Sequence, residues 1–563
     1  MRKSLAVLPA LPLLLLGACN PTPPPEPQPP PAPAVAELIV RNANVFTGTG
    51  ESAQAFAIAN GRFLAVGSEV DVMAFKGEAT QVVDAQGKRV TYPYVNPHLH
   101  TPAPPAAPLP CLGSDFAASP ATMAGPSLAE VRECVSASIA AFPAGAPLLG
   151  IIGSQAMAEL NATLDANTTA LDDLSPNQSV LLVGWTGHTL YANTEAMFAA
   201  GLPPAAPLKN PESCVFERNP DGRLTGRFEE YCQLKFQRGF AKNAPAGYFE
   251  GLYKAVDTEG AKLGWVGFDT IAVDLHFQDE RAVMERAGLK LDWRQVCFPQ
   301  GPSDNCDGAQ AVKVILDGTP VDELAHQHAP YEGGFHAAPW YGRDNFSQEA
   351  LEGFARRSKE KGQQLLVHAV GDAAVDSLLN AVESVGGAPG WRLEHGYLAT
   401  SAAYEKVKAL EGTVVTEPVH TSLRPLYPYY YGAEVAERSQ PVGSLLSRGV
   451  KVAFATDTFG TAGDPRVQML LARFPVFISP QETVSGEQAF LLLSREAERA
   501  RGYSDRGTIA PGQRGSFIVH GTDILRADLT PPELQSATIH LTVKDGQAVW
   551  DDGNLTPEGG WRQ

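Results

Sequence analysis

Beyond its first sixteen residues the chain has no apolar run long enough to span a bilayer, which excludes a helical membrane domain from the remainder. Positive charge is in short supply. Lys and Arg number 44 against 62 Asp and Glu, a net charge of −18, or −20 without the first 18 residues, which carry Arg2 and Lys3 and no acid. That balance argues against a nucleic-acid partner. No Gly-x-Gly-x-x-Gly follows a strand-like run and no Gly-x-x-x-x-Gly-Lys loop occurs, which counts against a dinucleotide or phosphate fold. Cysteine is scarce, and none of the seven lies in a Cys-x-x-Cys pair, so thiolate metal sites are not expected. What remains is an ordinary globular composition, 44% hydrophobic and 19% charged over 563 residues, enough for a large core with one or two attached modules.

The first residues read as an export signal: Arg2-Lys3, an apolar run over 5–16, then Gly17-Ala18-Cys19. Leu16-Gly17-Ala18-Cys19 resembles a bacterial lipobox, which implies cleavage after residue 18 and lipid attachment at Cys19; a simple secretory signal with an incidental cysteine is the alternative. Asn20 after that cysteine resembles outer-membrane sorting signals. The expectation is therefore a body held at the bacterial cell envelope by acyl chains alone, facing the periplasm or exterior. Residues 19–36 are proline-rich and expected to be an extended linker. The other cysteines, Cys111, Cys134, Cys214, Cys232, Cys297 and Cys306, are even in number, as disulfides of an exported chain would be. Sequential pairing is the simplest of the roughly 15 connectivities; buried free thiols are the alternative.

Residues 37–92 and 501–563 are rich in short alternating strands, with an Asn60-Gly61 hairpin signal, and predict one small β-sandwich built from both chain ends. Between about 93 and 500, strand-like runs alternate with helical periodicity. This predicts an α/β fold, a distorted (β/α)8 barrel with functional residues at the C-terminal strand ends; a doubly wound sheet is the runner-up. The expected strands are 180–183, 268–273, 312–316, 364–368, 392–395, 414–417 and 452–457. Segments 101–150 and 202–262, rich in Pro, Ala and Gly, are expected to be insertions over the barrel mouth that select substrate. Their Phe116, Phe142, Phe216, Phe228 and Tyr231 suggest an apolar or aromatic acyl or amine group.

The organising stretch is Val95-Asn96-Pro97-His98-Leu99-His100. In an extended segment residues i and i+2 point the same way, so His98 and His100 present two imidazoles to one site, as metal ligands do. Further candidates stand at later strand ends: His368, His395 and Asp457. Four histidines and an aspartate so placed are hard to explain as packing. Lys313 lies inside the apolar run Val312-Lys313-Val314-Ile315, which is costly unless it is neutralised or paired. Either a neighbouring acid pairs with it, or carbon dioxide carbamylates it into a carboxylate that bridges two metals.

The order His-x-His, strand Lys, His, His, Asp resembles the amidohydrolase superfamily. Gly187-His188-Thr189-Leu190-Tyr191-Ala192-Asn193 and Gly507-Thr508-Ile509-Ala510-Pro511-Gly512 resemble its amidohydrolase-3 (YtcJ-like) branch, which includes N-substituted formamide deformylases. The resemblance implies one or two divalent ions, zinc foremost, held by His98, His100, His368, His395 and Asp457, with Lys313 at the position of a bridging carbamate. It implies hydrolysis of a carbon–nitrogen bond, amide or N-acyl, by metal-activated water, with Asp457 as proton carrier and His188 as electrophilic helper; a helix-preceding structural role is the alternative for His188. His188, Glu417 and Arg392 are the expected substrate-binding residues. Asn96-Pro97 stands where the family usually has Asp, Glu417-Pro418 where Gln-Pro is usual, and Gly515-Ser516 where Ala-Asp is usual; the first is expected to loosen ligand orientation. Ester, lactone or carbamate hydrolysis, a nucleobase-type deaminase and a non-catalytic envelope binding lipoprotein are the competing readings. The expected partner is a small molecule, with a homo-oligomer left open. His326-Gln327-His328 reads as a loop touching substrate, and His276, His336, His420, His520 and His540 as structural or surface residues.

Overall fold

The computed structural model describes residues 35–100, 107–108, 125–139, 147–163, 171–175, 177–205, 213–242, 244–336, 338–557 and 560–561. The export signal, Cys19, Cys111, Phe116, Phe142 and most of the proline-rich linker lie outside them. Among the described residues no helix is long and apolar enough to cross a membrane.

Eight parallel strands make the centre: β1 (Tyr94–His100), β2 (Trp265–Ile271), β3 (Asp292–Gln295), β4 (Ala311–Ile315), β5 (Gln364–Ala369), β6 (Arg392–His395), β7 (Thr413–Thr416) and β8 (Lys451–Phe454). Ladders join β1 to β2 to β3, and β4 through to β8. Two single-residue parallel bridges, Cys297 to Val312 and Leu99 to Asp457, connect these sheets at both seams. The eight strands thus run round one circuit, a (β/α)8 arrangement. Helices cover the outer faces, so the strands are apolar almost throughout; Leu365, Leu366 and Val367 of β5 are fully buried. The helix Gln348–Lys361 shows why the order alternates. Ser347 caps it by accepting from the Ala350 amide, Gly362 ends it in the left-handed region, and Leu351, Phe354 and Ala355 form the buried stripe.

The helix Tyr248–Lys262 packs on β2, and between β1 and that helix stands an insertion. It contains its own five-stranded sheet, in the order Arg227–Glu229, Thr189–Ala192, Val180–Gly184, Leu148–Ile152, Ala107–Pro108. The run at 180–183 is therefore a strand of this sheet and not of the barrel, because its apolar residues pack against Val135, Ile152 and Leu160 of the insertion. A buried run identifies a strand but not its sheet. Phe216, Phe228 and Tyr231, expected over the barrel mouth as substrate contacts, are instead buried in the core joining insertion to barrel.

The chain ends form two sheets. One, of four strands, is made from residues 38–84 around the Asn60-Gly61 turn, whose residues have φ of 51° and 68°. The other interleaves both ends: Gln547–Asp551, Ile539–Lys544, Phe517–His520, Arg89–Thr91, Asn44–Phe46, Ser52–Ala53. Phe56 meets Phe63 and Phe517 edge to face at 5.2 and 4.9 Å, fastening the two sheets together. Disulfides join Cys214 to Cys232 and Cys297 to Cys306. Cys134 is also disulfide-bonded.

Candidate metal centre

His98 and His100, two apart on β1, turn towards the barrel interior beside Asp457, which follows β8. Asp457 Oδ1 lies 3.2 Å from His98 Nε2 and 3.5 Å from His100 Nε2. His395, at the end of β6, stacks its ring 5.0 Å from that of His98 and 4.4 Å from that of His368 at the end of β5. Facing ligand atoms of His98, His395 and Asp457 all lie within 4.8 Å of one another. Both His395 and Asp457 have left-handed backbones, φ 70° and 63°, an uncommon conformation for side-chain-bearing residues that is concentrated at functional sites. The residues singled out from the sequence, His98, His100, Lys313, His368, His395 and Asp457, lie together in the structure.

Three of the imidazoles, those of His98, His100 and His395, have Nδ1 engaged by an oxygen, which leaves Nε2 for an ion. His98 Nδ1 meets Glu394 Oε2 at 2.6 Å, His100 Nδ1 meets the Ile271 carbonyl at 3.1 Å, and His395 Nδ1 meets Glu417 Oε2 at 2.8 Å. A carboxylate or carbonyl behind a histidine fixes its tautomer and raises the basicity of the free nitrogen. Burial opposes charge on three of the rings. It holds His98 and His368 well below the usual imidazole range and lowers His100 to about 4. For Asp457 burial pushes upward, but His395, His100 and His420 outweigh it and hold the carboxyl below its ordinary value. Neutral imidazoles beside an ionised carboxylate are the donor set a divalent ion takes. Among the described residues, Asp457 Oδ1 is buried without a hydrogen-bond partner, an arrangement that costs free energy unless an ion accepts its lone pair. The residues fit a metal.

Asn96 does not loosen this set. Its Oδ1 accepts from the backbone amides of His98 and Thr456, each at 3.2 Å, and its Nδ2 donates to Thr456 Oγ1 at 2.7 Å, closing the β1–β8 seam. The carboxylate that orients His98 comes from Glu394. Lys313 is fully buried, and its Nζ sits 2.9 Å from His98 Nε2. The pairing acid expected as one alternative is not found: among the described residues Lys313 forms no ion pair. Burial lowers its ammonium to about 8.

Three expectations change. Arg392, expected to bind substrate, does not line the cavity; it is fully buried and donates to Glu394, to Asp269 and to the Pro97 carbonyl. Glu417 is likewise buried, held against His395 rather than at the mouth. His326 and His328 pair with Asp344 and Asp376 and stand outside the cavity wall. Conversely His420, read as structural, belongs to the site: with His395 and Glu417 it forms a second group able to hold an ion, and its Nε2 is 3.8 Å from Asp457 Oδ2. The i, i+3 spacing of Glu417 and His420 in the one-sided turn Pro418–Leu426 was the available signal. Tyr397, which donates to Glu417 at 2.6 Å, carried none.

Above the ligands a cavity of about 630 Å³ opens between barrel and insertion. Its aromatic wall is Trp185, Phe236, Phe298, Tyr397 and Phe459, none of them singled out from sequence. His188 lines it, with Nδ1 2.8 Å from Glu230 Oε1 and its ring 5.1 Å from that of His368. Burial pulls the His188 imidazolium down, but the Glu230 carboxylate outweighs it and raises the group to about 9. His188 is therefore a charged donor at neutral pH. Its ionic contribution is full below about 6.5 and is lost as pH rises through about 9. His188→Gln is expected to lower kcat about 10²-fold and to remove an alkaline limb of the kcat/KM profile centred near 9. A variant profile that keeps that limb rules out His188 as its source.

Converging neutral histidines and a carboxylate at the C-terminal mouth of a (β/α)8 circuit define a metal-binding barrel. The chain belongs to the amidohydrolase family: the family model Amidohydro_3 matches residues 81–550. Among curated relatives, the N-substituted formamide deformylase of Arthrobacter pascens is 23% identical over 563 residues, covering 91% of this chain and 97% of its own. A protein described as the putative amidohydrolase YtcJ of Bacillus subtilis is 23% identical over 417 residues, 68% of this chain and 76% of its own. In fold, a crystal structure described as an uncharacterized metal-dependent hydrolase from Pyrococcus horikoshii superposes with a TM-score of 0.64 at 16% identity, covering 88% of this chain and 99% of its own.

Proposed function

We propose that this protein is a metal-dependent hydrolase that cleaves the carbon–nitrogen bond of an amide or N-acyl compound. The observation that carries this reading is the convergence of His98, His395 and Asp457 from three strand ends of one barrel. His98, His100, His368, His395 and Asp457 would hold the ion, zinc in first place because the donors are imidazoles and a carboxylate. Such an ion, when bound, supplies Lewis acidity that polarises a carbonyl and acidifies water. The protein's own groups do the rest. Asp457, ionised and lacking a hydrogen-bond donor among the described residues, takes the proton from the attacking water at Oδ1 and returns it to the departing nitrogen. His188, charged through Glu230, donates to the oxygen on which negative charge develops. The insertion covers the mouth and limits the water around both. The name of the Arthrobacter pascens relative, a formamide deformylase, supports an acyl–nitrogen bond as the target.

Metal analysis combined with hydrolysis of matched amide and ester panels tests the reading. Stoichiometric metal and preferential release of amines from amides are expected; tightly held metal with no turnover on either panel would sink it.

Within the same proposal Lys313 is carbamylated. Its support is a fully buried Nζ beside His98 Nε2 with no acid in ion-pair contact, a place where an added carboxylate would supply metal ligands that an ammonium cannot. Protein loaded in bicarbonate is expected to bind about two ions per chain and Lys313→Met about one. Equal metal ratios in the two would refute the carbamate.

A further inference from the structure

The cavity wall has more acceptors than partners for them. Asp274, in the loop after β2, is 3% exposed and lines the cavity, yet among the described residues neither Oδ1 nor Oδ2 has a hydrogen-bond partner. Gln233, 2% exposed, donates its Nε2 to the Gly187 carbonyl at 3.2 Å and leaves its buried Oε1 unpartnered. Glu230 uses Oε1 on His188 and leaves Oε2 without a partner. The segment bearing Gln233 and Glu230 is fastened to the Asp274 loop where Arg238 Nε donates to the Val273 carbonyl at 3.2 Å. Arg238 itself is turned away from the cavity and spends its donors on Val273, His276 and Phe298, forming no ion pair with Asp274. The unpartnered donor on the same wall is Trp185 Nε1.

Buried acceptors with nothing to accept from are costly, and a carboxylate among them most of all. A ligand restores the balance only if it brings N–H donors, and a positive charge offsets the carboxylate as well. We propose that Asp274, with Gln233 lining the same cavity, is the specificity-determining residue for a substrate that carries a cationic nitrogen apart from the bond to be cleaved, an N-acyl compound with a free ammonium group. This deepens the carbon–nitrogen hydrolase reading and rests on it for the scissile bond alone. The aromatic faces of Trp185, Phe236 and Phe298 give the carbon skeleton its surface, and aromatic faces favour a cation as neighbour. Burial pushes the Asp274 carboxyl up to about 7 against the pull of Arg238, as expected of an acid still lacking its counter-charge.

The test uses binding as well as turnover. Titration calorimetry on the full metal-loaded protein compares phenethylammonium with its neutral counterpart 2-phenylethanol. The ammonium is expected to bind about tenfold or more tightly than the alcohol, and Asp274→Asn to erase that preference. Asp274→Ser provides a second variant should the amide disturb folding, and thermal melts of both report any loss of structure. Equal affinities in the wild type, or a preference surviving in a folded variant, would overturn the assignment. The two readings fail separately. A protein that hydrolyses neutral N-acyl amines but shows no preference for the ammonium refutes the role of Asp274 only. One that prefers the ammonium but releases nothing from any amide refutes the hydrolase reading only.

Discussion

Asp457→Asn is expected to lower kcat by about 10²–10⁴-fold, towards the upper end, because the proposed mechanism gives this one side chain the parts of both ligand and proton carrier. The substitution keeps the shape of the residue. It replaces one acceptor oxygen, which faces His98 Nε2 at 3.2 Å and His100 Nε2 at 3.5 Å, with an amide whose proton affinity is negligible. The seam around it survives, since its backbone amide still donates to the His98 carbonyl and its carbonyl still accepts from His100. Steady-state kinetics with metal content measured on the same samples checks this. Undiminished kcat in a fully metal-loaded variant would remove Asp457 from the chemistry.

The second large effect lies beneath the ligands. Asp269 on β2 is fully buried between three guanidinium groups, accepting from Arg294 Nε at 2.7 Å, Arg501 Nε at 2.8 Å and Arg392 Nη1 at 3.1 Å. Asp269→Ala strands those cations in the core, and removal of one partner from a buried ionic cluster costs about 3–5 kcal/mol. Burial would raise the Asp269 carboxyl, but the arginines outweigh it and hold the group at about 2. With the folded pKa below the unfolded one, the stabilisation is fully present above about 3.8 and is lost as pH falls through about 2. Urea unfolding from neutral to acid pH should show the wild type losing its advantage over the variant across that interval. The cluster also reaches the metal centre, because Arg392 holds Glu394, and Glu394 holds His98. Asp269→Ala is therefore expected to weaken metal retention before it unfolds the barrel; unchanged stability and unchanged metal retention would together refute the connection.

The candidate ligands were legible in the sequence for local reasons: His98 and His100 alternate along one strand, and His368, His395 and Asp457 stand at or just past the ends of others. Arg392 and Glu394 were harder to place. Two charges at i and i+2 on a four-residue strand must share a face, and that face proved to be the barrel interior, filled by Asp269 from a strand more than a hundred residues away. No local pattern reveals which partner neutralises a buried charge. The same limit explains the strand at Val180–Gly184, whose composition suits either sheet, and the cavity's aromatic residues, which are drawn from the insertion and from several barrel loops. The β-rich ends were legible as a shared sandwich because short alternating strands cannot bury a face alone.

That sandwich sets an order on the chain's assembly. Strand Arg89–Thr91 is made early in synthesis, yet on one side it pairs with Phe517–His520, and Arg89 ties to Asp523 at 2.9 and 2.8 Å. More than four hundred residues are made between this strand and those partners, so the edge stays open while the barrel is synthesised and is sealed only once Phe517–His520 has been made. A nonsense mutation shortly before residue 517 would leave the whole barrel sequence intact and still yield a molecule with an unclosed, aggregation-prone sheet edge.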